Sequence, residues 1–170
     1  MKNTIYVTRE GYEKLYNELS EIDQLRNDNT RKMGICNQDG GDLEENPAFL
    51  QLRVDNSSTL AVRKMDILEK FPNLEIIEET PEYLEWDGTT VIRKCKVELV
   101  VDHEVVEWTI LGHGEGSVDD GILSCDAPLV LSILGHKVGE QVYFNDMQIE
   151  IKKVSKVEEK MMIKGINGRK

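Results

Sequence analysis

The strongest constraint in this chain is helical spacing on both sides of a glycine pair. Thr8 can cap a helix start, with Glu10 in the first turn, where the helix dipole favours a negative charge. Tyr12, Leu15, Leu19 and Ile22 follow at steps of three and four, and Met33 falls on the same phase. Arg26 and Asn29 occupy that phase as polar breaks. Beyond Gly40 and Gly41 a second series reads Leu50, Val54, Ala61, Met65 and Leu68. In an antiparallel hairpin, facing residues keep a constant sum of residue numbers. Leu15 with Leu68, Ile22 with Ala61, Asn29 with Val54 and Met33 with Leu50 share one sum, and Leu19 with Met65 differs by one. The centre falls between Gly41 and Asp42, where two glycines would stop a helix in any case.

Arms of about 28 residues at 1.5 Å each give a hairpin roughly 40 Å long. Its middle (Arg26, Asn29, Ser57, Ser58) is polar, so the seam adds little stability. A hairpin of that length serves to deliver its end somewhere, with a plain dimerisation coiled coil as the bland alternative.

From about residue 75 the period changes to two. Cys95, Val97, Leu99 and Val101 alternate with Lys94, Lys96, Glu98 and Val100, which turns Cys95 toward a core. Glu104 to Leu111 makes a partner strand after an Asp102-His103 turn, and Val142 to Phe144 pairs with Met147 to Val154 across Asn145-Asp146. Between the hairpins, Asp126 is placed to cap a short helix, Ala127 to Leu134, with Pro128 in its first turn and Gly135 ending it. The expected organisation is α+β: a coiled-coil hairpin over 1–74 with its tip at 37–46, a β-rich domain over 75–158, and a basic tail over 159–170 expected to be partly disordered.

Composition narrows the classes of partner. A net charge of -11 argues against a protein held on nucleic acid by its own charge, since phosphate binding needs clustered Lys and Arg. It suits an acidic module that meets a basic surface, or simply solubility. No stretch approaches the 18 or so apolar residues of a membrane span, and the N-terminal residues lack the apolar run of a signal peptide. Cys36, Cys95 and Cys125 form no CxxC pair, which fits a reducing cytoplasm. His103, His113 and His136 show no metal-ligand spacing.

The tip carries the candidate chemistry. Asn37 to Asn46 holds Asp39, Asp42, Glu44 and Glu45 with no basic residue. Such carboxylates repel one another unless a cation lies among them, and Mg²⁺ takes one or two carboxylates and completes its shell with water and phosphate. Asp42 and Glu45 share a face if the second helix has begun there. Spacing alone favours a capping box, which satisfies backbone donors and nothing more. Asn46 as N-cap with Pro47 as first helical residue is a rival start that leaves residues 42 to 45 in a loop.

Gly41-Asp42-Leu43-Glu44-Glu45-Asn46, with Phe49 beyond it, resembles the tip of the GreA/GreB transcript cleavage factors. Thr8-x-x-Gly11-x-x-x-Leu15-x-x-Glu18-Leu19 is similar to their first helix. Ile110-Leu111-Gly112 with Glu115, Ile122-Leu123-Ser124, Pro128-Leu129, Leu134-Gly135 and Lys137-Val138-Gly139-Glu140 resemble their C-terminal domain, in order along nearly the whole chain. The resemblance implies an antiparallel coiled coil followed by an FKBP-like domain. It implies a cytoplasmic monomer that meets no membrane and whose partner is bacterial RNA polymerase. The C-terminal domain would dock at the secondary channel while the tip reaches the nascent RNA 3′ end. Asp42 and Glu45, with Glu44 and Asp39 beside them, would then hold a Mg²⁺ shared with the polymerase, which itself hydrolyses backtracked RNA; the factor is no enzyme alone. Departures from the family pattern are Gly34 to Gly40 before the motif, Pro47 after it and Phe49 in place of Tyr. A Gre-like inhibitor and a coiled-coil adaptor are the alternatives. Trp86 and Trp108 are read as packing residues in preference to an isomerase pocket.

Overall fold

A computed structural model describes residues 4–38 and 43–157. Asp39 to Asp42, and with them the expected turn, lie outside the described residues, as do residue 158 and the basic tail over 159–170. The chain forms two compact units: Tyr12–Leu74 in one, Thr4–Gly11 together with the chain from Glu75 onward in the other.

The first unit is a pair of helical arms. Helix α1 (Arg9–Gln38) buries Ile22 and half-buries Tyr12, Leu15, Leu19, Asn29 and Met33, the face expected from the spacing. The return arm consists of α2 (Pro47–Val54), a π turn (Asp55–Thr59) and α3 (Leu60–Lys70). Cross-arm contacts confirm antiparallel pairing. Arg63 Nε and Nη2 donate to the two Glu18 oxygens at 2.5 and 2.9 Å, Lys64 Nζ lies 2.5 Å from Asp23 Oδ1, and Tyr12 meets Phe71 with ring centroids 5.6 Å apart.

The inward face of the return arm is not the expected one. Leu50, Val54, Met65 and Leu68 are exposed, Met65 by 60%. Phe49, Leu52, Asn56, Leu60 and Lys64 turn inward instead, with Ile67 fully buried. A strict heptad fails here because Leu52, Asn56, Leu60 and Lys64 are three successive steps of four. In a regular helix each such step overshoots by about 40°. The π turn, in which Leu60 N–H donates to Asp55 O, is wider and takes up that excess.

The second unit is built on a five-stranded mixed sheet of order β5-β4-β3-β7-β6: β3 (Cys95–Val101), β4 (Glu104–Leu111), β5 (Ile122–Ser124), β6 (Gln141–Phe144) and β7 (Met147–Lys156). Only β4 and β5 run parallel, and the β3–β7 register shifts by a bulge between Glu98 and Leu99. Both hairpins turn through residues with positive φ, Asp102 and His103 (47° and 71°) and Asn145 and Asp146 (48° and 64°), the backbone a two-residue hairpin loop requires. One face of the sheet forms the core. Cys95, Val97, Leu99, Ile110, Ile149 and Ile151 pack there with Val130 and Ile133 of α5 (Pro128–Ile133). A short helix α4 (Pro81–Leu84) is capped by Thr80, and Trp86 and Trp108 pack against the same core.

Asp126 does not cap α5. The N-cap is Ala127 without a side-chain bond, and Asp126 instead accepts from Ser124 and lies 2.8 Å from His113 Nδ1. The Ser124 hydroxyl, with His113 nearby, holds the Asp126 carboxyl below its usual range. A separate two-stranded pairing joins β1 (Ile5–Val7) to β2 (Leu74–Ile76). The whole is the α+β class expected from the change of period.

Candidate functional site at the hairpin tip

The described part of the tip is a single 3₁₀ turn, Leu43–Glu45, leading into α2. Asn46 caps that helix: its side-chain oxygen accepts from Ala48 N at 3.0 Å and Phe49 N at 3.2 Å. Pro47 fills the first helical position, where its missing N–H costs nothing and its fixed φ suits the helix. The rival start is therefore the one adopted. Glu45 precedes that cap and ends the 3₁₀ turn, while Asp42, its partner in the capping-box pattern, lies outside the described residues.

Glu44 and Glu45 are both exposed on that turn, and Glu45 makes no ion pair among the described residues. Asp39 and Asp42, the other expected site residues, lie outside the described residues. Among the described residues no group of three or more His, Cys, Asp or Glu side chains could hold a metal ion. The donors at hand are carboxylate oxygens, the hard ligands that suit Mg²⁺ and leave room for water and phosphate. Glu45 fits such an ion as one of a few ligands, the others coming from elsewhere.

A second constellation gathers motif residues into a structural anchor. Thr8, only 1% exposed, donates from its N–H and from Oγ1 to Glu115 Oε1, both at 3.1 Å. Gly112 N–H donates to Glu115 Oε2 at 3.0 Å, and Gly11 N–H donates to Thr8 Oγ1 at 3.0 Å. Both glycines are required by space. A Cβ on Gly11 would fall 1.7 Å from Glu115 Oε1, and one on Gly112 would fall 2.6 Å from Val7 Cα. Thr8, Gly11, Gly112 and Glu115 thus fasten the first turn of α1 to the sheet unit, and their spacing along the sequence records packing.

Spacing did not reveal the ion cluster beside that anchor. Both oxygens of Glu78 accept from Arg9 N–H, at 3.0 and 3.1 Å, adding a negative charge at the N-terminus of α1. Lys94, buried and with φ of 56°, places Nζ 2.5 Å from Glu78 Oε1 and 3.6 Å from Glu10 Oε2. Burial is the largest single influence and disfavours both charges, yet the mutual hydrogen bond, the main-chain donors on Glu78 and the attraction of opposite charges together outweigh it, so Glu78 titrates below and Lys94 above the ordinary value. A lysine at the head of an alternating strand carries no signal of such a role.

The remaining candidates are structural. Trp86 Nε1 donates to Thr90 O at 2.6 Å, and Lys156 lies over the Tyr83 and Trp86 rings. Burial pushes the Cys95 thiol up to about 12 and the Cys125 thiol to about 11, so neither is reactive near neutrality. No helix among the described residues is long and apolar enough to cross a membrane.

Residues 87–156 match the family model described as transcription elongation factor, GreA/GreB, C-term. Over 145 residues the chain is 32% identical to the transcription elongation factor GreA of Chlorobium limicola, covering 84% of this chain and 89% of that one. It is 29% identical over 154 residues to the GreA of Bacillus cytotoxicus, covering 88% and 96%. Among solved structures it is similar to the GreA factor homolog 1 (Gfh1) of Thermus thermophilus, at 17% identity and a TM-score of 0.40, covering 89% of this chain and 99% of that one.

Proposed function

Because this chain belongs to the GreA/GreB family of transcription elongation factors, we propose that it acts on bacterial RNA polymerase through its hairpin tip. In this reading the sheet unit docks at the mouth of the secondary channel and the arms carry the tip to the 3′ end of backtracked RNA. Asp42 and Glu45 contribute ligands to a Mg²⁺ held jointly with the polymerase, with Glu44 and Asp39 adding negative field. Bound there, that ion supplies charge neutralisation at phosphate and activation of a water, as in two-metal phosphodiester hydrolysis. The chain's own task is to hold carboxylates at a defined place; the hydrolysis belongs to the polymerase.

One observation carries the assignment of Glu45. The Asn46–Pro47 start ends the helix one residue short of it and leaves its carboxylate exposed, with no ion pair among the described residues. A carboxylate committed to capping would be spent on backbone donors.

The test is RNA cleavage in a halted, backtracked bacterial elongation complex, with wild type, Asp42→Asn and Glu45→Gln compared at matched polymerase occupancy. We expect shortened RNA with the wild type and a loss of at least tenfold with either variant. Slowed synthesis without cleavage would identify an inhibitor. Absence of polymerase binding would leave a coiled-coil adaptor that shares only the fold.

A further inference from the structure

The middle of the hairpin holds a polar constellation that the tip chemistry does not use. Asn56 lies in the π turn, half-buried between the arms. Its Nδ2 donates to Arg26 O at 3.2 Å and to Thr30 Oγ1 at 3.3 Å, while its Oδ1 accepts from Asn29 Nδ2 at 3.1 Å. A carbonyl can only accept, so the Arg26 contact fixes which end of the Asn56 amide is the donor. The amide therefore reads three groups of the opposite arm at once: a main-chain oxygen, a hydroxyl and a second amide.

We propose that Asn56 is a positioning residue that sets the register of the two arms and so the placement of the tip; the second part rests on the function proposed above. A slip of one heptad along α1 replaces Arg26 and Asn29 by Leu19 and Ile22 in one direction, or by Met33 and Cys36 in the other. In either slipped state Nδ2 still meets a main-chain oxygen and Asp23 or Asn37 in place of Thr30, but Oδ1 loses the Asn29 amide that donates to it and faces Ile22 or Cys36 instead, and a half-buried acceptor without its donor is costly. An apolar side chain at 56 would tolerate all three registers. A single polar residue inside a coiled-coil seam is known to select register at the expense of stability. The π turn belongs to the same device, since it keeps Asn56 inward together with Leu52, Leu60 and Lys64.

Slippage of one arm by a heptad displaces the start of α2 by about 10.5 Å relative to α1. Glu45 is joined directly to that start and moves with it. Misplacement of about 1 Å in a reacting group can already cost on the order of a hundredfold in rate.

The experiment uses the full chain carrying Cys36→Ser, with spin labels on Gln24→Cys and Arg53→Cys, both exposed positions on opposite arms. Distance distributions are measured with Asn56 and with Asn56→Leu, alongside thermal unfolding, polymerase binding and RNA cleavage of the unlabelled proteins. We expect one narrow distance with Asn56 and a broadened or split distribution with Asn56→Leu. The variant should unfold at an equal or higher temperature, bind polymerase unchanged and stimulate cleavage about tenfold less. A narrow distribution that stays at the wild-type distance in Asn56→Leu overturns the inference. If the wild type itself fails to bind polymerase or stimulate cleavage, the function proposed above falls, and the distance measurement still decides the register claim.

Discussion

Gly11→Ala sets two rules against each other. Gly11 lies inside helix α1, where propensity alone favours alanine by up to about 1 kcal/mol. The added methyl would stand 1.7 Å from Glu115 Oε1 and 2.8 Å from its Cδ, so the carboxylate has to leave. Glutamate side chains usually yield cheaply, but this one accepts from Thr8 N, Thr8 Oγ1 and Gly112 N. Hydrogen bonds to a charged group contribute roughly 1.5–3 kcal/mol each and are not additive, so their joint loss costs about 3 kcal/mol. Two buried main-chain donors would also be left without partners. The balance is a net destabilisation of about 2 kcal/mol, a fall of about 4–8 °C for a protein of this size. Urea unfolding followed by Trp86 and Trp108 fluorescence reads the sheet unit directly. Glu115→Ala and the double variant complete a cycle. Once Glu115 is removed, Gly11→Ala should become neutral or stabilising. A single Gly11→Ala variant at or above wild-type stability would refute the reasoning, because propensity would then have outweighed the anchor.

Other outcomes follow from groups already described. The folded Glu78 carboxyl titrates below its ordinary 4.5, burial opposing the Lys94 and Arg9 hydrogen bonds that win, so its stabilisation is complete above that value and fades as pH falls through the lower folded one. Glu78→Gln should flatten the acid limb of a stability-versus-pH curve, and an unchanged limb would contradict the assignment. Lys94 titrates above 10.5, burial again opposing the Glu78 bond, so its contribution holds up to that pH and is lost only beyond it. Titration with a thiol reagent at pH 8 should label Cys36 alone in the native protein and three thiols in denaturant; rapid labelling of Cys95 or Cys125 would show that the core opens. The exposed Glu18–Arg63 pair, despite its two-pronged geometry, should show a coupling of no more than about 1 kcal/mol in a double-mutant cycle, shrinking with salt.

What could be read in advance depended on how local the physics was. The β3–β4 and β6–β7 hairpins were legible because alternation and a left-handed turn lie within a few residues of one another. Strand β5 was not, since its three residues pair in parallel with β4 and owe their conformation to a distant neighbour. The first arm declared its inward face through Tyr12, Leu15 and Ile22. The return arm concealed its own, because a heptad rule has no place for a π turn, and Leu50, Val54, Met65 and Leu68 offered a more apolar series than the true one. Asp126 was a plausible cap by position, but His113 and Ser124 compete for it from outside its own segment. At the tip, Asn46–Pro47 contained the start of α2.

The strands β1 and β2 flank the entire helical hairpin, and residues Thr4–Gly11 join the sheet unit. In topological terms the hairpin is an insertion into one domain, comparable to a long loop that has acquired helical structure. A fragment cut at residue 75, or at the residue 87 where the family match begins, discards Thr8 and leaves Glu115 and Gly112 without their partners. Arms lengthened or shortened in matched increments would leave the insertion points untouched. The length of the arms can therefore change while the fold and anchoring of the sheet unit stay constant, so the two parts of the chain can be varied separately.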